Sequence, residues 1–276
     1  MPVDLGSHRA RRRFGQHFLA DPSYIARLVR AIDPQEDNRI VEVGPGLGAL
    51  TEPLLRRVNT LHVIEIDRDI VARLSSRFST DRLLIHQGDA LEFDFSSLGP
   101  QLRVVGNLPY NISSPLLFHV ADHMAAVRDC HFMLQKEVVD RLAAAPGSKI
   151  YGRLSVMIQY RFNAEKLFNV PAGAFRPAPQ VESAFVRLTP YAQLPWPARD
   201  EQLLSAIVNR AFTLRRKTLR NALTDFVDAD QLRDLSIDPG LRPEQLPVEA
   251  FVRIANAVAA RPPHRDTENT EDTEKD

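Results

Sequence analysis

The sequence predicts an α/β fold organised on an open sheet, followed by a small all-α domain. Three observations carry that expectation. Short apolar runs of strand length, at 39–43, 60–64, 83–86 and 102–105, alternate with stretches of helical spacing. A glycine-rich turn, Gly44-Pro45-Gly46-Leu47-Gly48, follows the first run, and Glu65 closes the second, 21 positions after Gly44. That spacing puts a carboxylate where the ribose diol of a nucleoside is bound. Beyond a proline-marked linker at 190–197, residues 201–260 keep helical periodicity and show no strand pattern.

With 276 residues and 44% hydrophobic content the chain can bury a full core and divide into a larger and a smaller domain. No run approaches the roughly 18 apolar residues of a membrane span, and the basic cluster from Arg9 to Arg13 leads into Phe-Gly-Gln-His rather than a signal-peptide apolar region. The expected location is the cytoplasm. Cys130 is the only cysteine, which excludes an internal disulfide and a cysteine-based zinc site, and its apolar neighbours mark it as a buried small hydrophobe. The net charge of zero hides an asymmetry: 266–276 hold six acids against Lys275, and the other 265 residues carry 34 basic and 29 acidic side chains.

Taken in order, residues 1–8 read as unstructured, and Arg9, Arg11, Arg12 and Arg13 form a basic arm, read by itself as a solvated charge run rather than a nucleic-acid contact. Asp21-Pro22 starts a helix over 22–32, with Asp21 as N-cap and the proline at the first helical position. The strand at 39–43 runs into the glycine turn, which is expected to open a helix continued by Ala49 to Glu52. The strand at 60–64 ends at Glu65, and the strand at 83–86 ends before Gly88-Asp89. A dinucleotide fingerprint would have its third glycine one place later, at Ala49. Acids at three strand ends (Glu42, Glu65, Asp89), with no lysine or arginine near, suit a cationic sulfonium cofactor, S-adenosylmethionine, better than a pyrophosphate.

The strand at 102–105 delivers Gly106-Asn107-Leu108-Pro109-Tyr110-Asn111-Ile112-Ser113 to the edge where open α/β sheets bind ligands. Asn107 offers a neutral carbonyl acceptor, Pro109 a main-chain carbonyl on a segment that cannot pair as an ordinary strand, and Tyr110 a flat face for a base. Two acceptors gripping the hydrogens of an exocyclic amine would hold its nitrogen for attack. For such a tetrapeptide in isolation, a proline turn capped by asparagine is the plainer reading.

A helix is expected over 115–124, a fifth strand over 129–135, and a helix over 136–142. Residues 145–149 are a loop, 154–162 a long apolar segment, 175–183 a proline-rich loop and 184–188 a closing strand. Phe175 stands where a second stacking face could oppose Tyr110. In the helical region Arg210, Arg215, Arg216, Lys217 and Arg220 are five positive charges in eleven residues with no acid among them, favouring an RNA-phosphate contact over a merely solvated face.

Together the motifs resemble the ribosomal RNA adenine dimethyltransferase family. The resemblance is carried by Phe14-Gly15-Gln16-His17-Phe18-Leu19, Glu42 to Gly48, Glu65-Ile66-Asp67, Gly88-Asp89-Ala90, Asn107 to Ser113, Met133 to Val138, Tyr151 to Val156 and Arg215 to Asn221, and it spans about 9–258. It implies a class I S-adenosylmethionine-dependent methyltransferase fold: Rossmann-like, with a mostly parallel seven-stranded sheet. The implied organisation is a catalytic domain over 1–190, a helical RNA- or ribosome-binding domain over 198–260 and a disordered acidic tail over 262–276.

By the same resemblance His17, Leu19, Gly44, Glu65, Asp89 and Asn107 line the cofactor pocket, and Asn107, the Pro109 carbonyl and Tyr110 hold the target adenine with Phe175 stacked on it. No metal is implied. The family commonly has Asn where this chain has His17, and Pro and Lys where it has Ala178 and Gln180. The implied substrate is a pair of adjacent adenines in a hairpin loop near the 3′ end of 16S rRNA, each methylated twice within an immature small subunit by a monomeric enzyme. A 23S rRNA adenine methyltransferase of the macrolide-resistance type, or a non-catalytic assembly factor, are the competing readings.

Overall fold

The computed structural model describes residues 17–261. The basic arm, Phe14-Gly15-Gln16 and the acidic tail lie outside them. Two compact units divide the chain between Pro195 and Trp196.

In the first unit the elements in chain order are β1 (Phe18–Leu19), α1 (Pro22–Ile32), β2 (Ile40–Val43), α2 (Thr51–Leu55), β3 (Leu61–Glu65), α3 (Arg68–Arg77), β4 (Leu83–Gln87), β5 (Leu102–Asn107), α4 (Ser113–Asp122), β6 (Val127–Gln135), α5 (Lys136–Leu142), α6 (Arg153–Gln159), β7 (Phe162–Val170), β8 (Phe175–Arg176) and β9 (Ser183–Pro190). Seven strands form one sheet in the order β4-β3-β2-β5-β6-β9-β7. Pairing is parallel from β4 to β6, and β9 runs antiparallel to both β6 and β7. Chain order reverses between β2 and β5, which opens a crevice at the strands' carboxyl ends. This is the mostly parallel seven-stranded sheet that the sequence led us to expect.

The strands are buried on both faces because helices cover both. Along β5, Val104 joins the apolar cluster on one face and Val105 the cluster on the other, and Cys130 and Phe132 alternate with Met133 in the same way on β6. Cys130 is fully buried, and burial pushes its thiol well up. Each large apolar side chain so buried contributes about 1.5–3 kcal/mol to hydrophobic stabilisation.

A buried arginine braces the opposite end of β5. Arg103, 5% exposed, donates to the Asp129 carboxylate, to the Ile32 and Asp33 carbonyls at the end of α1, and to the Asn38 side chain at 2.8 Å. Its positive charge is thus neutralised and its donors satisfied within the protein.

Three local details differ from expectation. The glycine turn does not open a helix: Gly48 sits at φ +86°, and α2 begins only at Thr51. The helix after the Asn107 stretch starts two residues early, at Ser113. The apolar segment at 154–162 resolves into α6 followed by the edge strand β7, whose polar Asn163, Glu165, Lys166 and Asn169, and a register shift between Lys166 and Phe168, blur any alternating pattern.

The second unit is helical: α7 (Glu201–Thr213), α8 (Leu219–Ala222), α9 (Ala229–Asp234) and α10 (Val248–Ala259). Leu204, Ile207, Val208, Ala211, Leu219, Leu223, Phe251 and Ile254 are all buried. Asp200 caps α7 by accepting from the Leu203 N–H, and Asp228 caps α9 through Gln231.

Candidate active site

A cleft of about 350 Å³ lies at the carboxyl ends of β2, β3 and β5, within the roughly 300–1,000 Å³ of small-molecule sites. Its lining includes His17, Leu19, Gly44, Glu65, Asp89, Asn107, Pro109 and Tyr110. Residues dispersed over more than ninety positions thus meet in one place.

The wall from β2 turns on glycines, of which Gly44 sits at φ +66°. Gly44 donates its N–H to the Ile64 carbonyl at 3.0 Å, and a Cβ on it would stand 4.0 Å from the Asn107 carbonyl oxygen. Gly46 has φ +53°, and a Cβ there would meet the Phe18 ring at 3.0 Å. Glycine therefore allows the segment 17–19 to close on the turn.

Three acids face this cleft. Glu65, at the end of β3, accepts from the Asp67 N–H at 2.9 Å, and burial raises its carboxyl above the usual range. Asp89 is fixed by the Leu91 N–H on its Oδ1 at 2.9 Å. Glu42, only 2% exposed, is pushed up to about 7 by burial, opposed by the Thr51 hydroxyl that donates to it at 2.7 Å and reinforced by the charge of Glu65. Among the described residues lining the cleft there is no lysine or arginine. A cation such as a sulfonium fits these walls, whereas a pyrophosphate would lack partners.

Asn107 ends β5, with its side-chain nitrogen donating to the His17 main-chain carbonyl at 2.9 Å. That bond commits the NH₂ end of the amide and leaves Oδ1 as the acceptor. The Pro109 carbonyl accepts the Ile112 N–H at 3.2 Å, a turn contact that uses one of its two lone pairs. Tyr110 is half-buried, its hydroxyl lies 3.0 Å from Ser183 Oγ, and burial raises its phenol. The His17 ring stacks against it with centroids 5.8 Å apart and planes 29° apart, while His17 Nδ1 lies 2.9 Å from the Pro177 carbonyl.

Phe175 is the correction. It is 1% exposed and belongs to the apolar cluster with Leu19, Ile25 and Leu28, outside the cleft lining. The two-residue ribbon pairs it directly opposite Leu19, and it is the burial of Phe175 in that apolar cluster that keeps its ring from the cleft. The aromatic facing Tyr110 is His17 instead. Sequence reasoning also passed over the His17 ring, Ser183 and the apolar Ile66, which is 50% exposed at the cleft. An apolar residue between two acids, Glu65-Ile66-Asp67, was the available signal for Ile66. Among the described residues no group of three His, Cys, Asp or Glu is placed to hold a metal ion, and no helix is long and apolar enough to cross a membrane.

On the helical unit the basic ridge is partly spent internally. Arg210 pairs with Asp225 at 2.9 Å and Arg215 lies 3.7 Å from Glu244, while Arg216, Lys217 and Arg220 are exposed.

Comparison with known proteins gives concordant results. The model of the family described as ribosomal RNA adenine dimethylase matches residues 7–260. The ribosomal RNA small subunit methyltransferase A of Aromatoleum aromaticum is 57% identical over 259 residues, covering 94% of this chain and 98% of the relative. The protein of that description from Pseudomonas aeruginosa is 54% identical over 266 residues, covering 95% and 99%. In three dimensions the fold is similar to a dimethyladenosine transferase from Plasmodium falciparum (TM-score 0.75, 24% identity, 86% and 96% of the two chains) and to the 23S rRNA methyltransferase ErmE (TM-score 0.69, 23% identity, 88% and 99%).

Proposed function

The chain belongs to the ribosomal RNA adenine dimethylase family, and from that membership we propose that it methylates N6 of two adjacent adenines in a hairpin loop near the 3′ end of 16S rRNA, giving N6,N6-dimethyladenosines. It is an S-adenosylmethionine-dependent methyltransferase. We place the reaction in the cytoplasm, on an immature small subunit, with the enzyme acting as a monomer.

Bound S-adenosylmethionine supplies an electrophilic methyl group on a positively charged sulfur. Glu65 would accept from the ribose hydroxyls and Asp89 from the adenine amino group of the cofactor, and the main chain at Gly44, His17 and Leu19 would line its site. The target adenine leaves its stack, at low cost for a loop base, and lies on Tyr110. Asn107 Oδ1 and the free lone pair of the Pro109 carbonyl accept the two N6 hydrogens, drawing the nitrogen out of conjugation with its ring so that its lone pair faces the methyl group. The nitrogen becomes acidic once alkylated and gives its proton to solvent, so no side-chain base is required. Phe175 has no part in this reading. Arg216, Lys217 and Arg220 of the helical unit contact RNA phosphates.

The single observation that carries the reading is the orientation of Asn107, whose amide nitrogen is held by His17 and whose oxygen is left as an acceptor in an acid-lined cleft. The test is nucleoside mass spectrometry of rRNA after incubation with S-adenosylmethionine and unmethylated small subunits, with large subunits and Asn107→Ala protein as controls. N6,N6-dimethyladenosine in 16S rRNA alone, lost in the variant, is the expected result. Methyl groups in 23S rRNA, or tight binding to small subunits without methylation, would replace the reading with one of its competitors.

A further inference from the structure

The ring of Tyr110 is held at a point the sequence does not announce. Its hydroxyl lies 3.0 Å from the Oγ of Ser183, which is 73 positions away. Tyr110 itself sits in the turn between β5 and α4, outside regular structure. Ser183 is the first residue of β9, 1% exposed, paired in register with Gln135 on β6 and with Val170 on β7. Next to it the Glu182 carbonyl accepts the Lys136 N–H at 2.9 Å, which fixes the end of that strand. The serine hydroxyl is therefore an anchor on a rigid part of the sheet, and the tyrosine is a ring on a turn.

We propose that Ser183 is a positioning residue for the target base, its hydroxyl fixing the place of the Tyr110 ring before the adenine arrives. The proposal rests on the reading of the site given above. Tethering the hydroxyl at the tip of a phenol ring restrains χ1 and so fixes where the ring sits, and the preference of a phenol O–H for the ring plane favours a χ2 that keeps Ser183 in that plane. The His17 ring stacks against Tyr110, and Tyr110 lines the cleft. A phenol is protonated at neutral pH, and burial raises this one further, so the bond to Ser183 persists where the enzyme works. A stacking surface whose position is already set spares the reaction part of the entropy of ordering it. The contact also couples the proline-rich loop, which ends at Ser183, to the turn that receives the adenine.

The test is a double-mutant cycle on the full chain with unmethylated small subunits, reading the turnover rate and KM of methyl transfer together with cofactor affinity by calorimetry. Ser183→Ala and Tyr110→Phe are each expected to lower turnover about three- to tenfold, the effect of losing one hydrogen bond. The double variant should be no slower than the slower single, because both remove the same bond. Ser183→Thr should recover most of the rate, cofactor affinity should stay at its wild-type value throughout, and the melting temperature should fall by no more than the few degrees that one lost hydrogen bond implies. Wild-type turnover in Ser183→Ala, or losses that multiply in the double variant, would overturn the proposal. So would a loss of turnover matched by an equal loss of cofactor affinity, or accompanied by a fall in melting temperature well beyond a few degrees, since that marks a purely structural serine. If the wild-type chain methylates no small subunit, the reading of the site falls, and this proposal with it; an active wild type with multiplying losses overturns Ser183 alone.

Discussion

The side-chain nitrogen of Asn107 and the main-chain carbonyl of His17 share a hydrogen bond of 2.9 Å across ninety positions of sequence. It joins the strand that carries the acceptor to the segment that closes the cofactor cleft. Because the carbonyl belongs to the backbone, the contact survives whatever side chain occupies position 17.

Asn107→Asp keeps an acceptor but replaces the donor, setting a carboxylate oxygen against the His17 carbonyl. Leaving two acceptors face to face costs on the order of 1–3 kcal/mol. Methyl transfer should fall roughly 10- to 100-fold, the rate equivalent of that cost. His17→Asn, in contrast, should leave this bond in place and lower the rate far less. Steady-state kinetics of the two variants side by side decide the matter, and an Asn107→Asp protein at wild-type rate would mean the bond has no role.

Glu65 stands at the end of β3 with one oxygen held by the Asp67 N–H. Hydrogen bonds to a charged group are worth about 1.5–3 kcal/mol, so Glu65→Ala should weaken S-adenosylmethionine binding roughly 10- to 100-fold. Titration calorimetry on the purified chain reads this directly. Unchanged affinity would remove Glu65 from the cofactor site.

Much of this was legible in the sequence, and the reasons are local. Asp21-Pro22 specifies a helix start through an N-cap and a proline, both properties of a dipeptide, and α1 begins at Pro22. The strand ends that carry Glu65 and Asn107 follow from apolar runs interrupted by polar residues. What stayed hidden depends on distance. Phe175 before a proline loop looks alike whether it faces a base or a core, and only its burial among residues distant in sequence decides. Ser183 meets Tyr110 through a fold, with no motif to link them. Strand β7 has too little one-sided burial to mark itself.

Burial raises Glu42 from an ordinary 4.5 to about 7, which makes stability depend on pH. Between those values the folded chain holds a proton that the unfolded chain has lost. The contribution of this group is therefore fully present below about 4.5, declines as pH rises, and is gone above about 7. Glu65 is shifted in the same direction. Glu42→Gln can still accept from Thr51 yet has no proton to lose. In urea denaturation of cofactor-free protein the variant should gain on the wild type between pH 5 and pH 8, by about 3 kcal/mol at the upper end. A difference that stays flat with pH would show that Glu42 ionises normally in the fold.

Gly106 lies on β5 beside the end of β2. A Cβ on it would stand 2.5 Å from the Val43 carbonyl oxygen, a main-chain atom that cannot turn aside. Gly106→Ala should destabilise the chain by about 3 kcal/mol or more and leave little folded protein. A variant melting within about two degrees of wild type would mean the strands yield more easily than their packing suggests.

The grip of Arg103 on the end of α1 has a kinetic consequence. Strand β5 is held at its start by the carbonyls of Ile32 and Asp33 and at its end by that of His17, so one stretch of chain, 17–33, clasps the strand at both ends. Neither end can open without loosening the same stretch. Amide protons of α1 and of β5 should therefore exchange with solvent as one cooperative unit, and an enzyme whose leading segment has frayed would lose its acceptor geometry while the rest of the sheet stays folded.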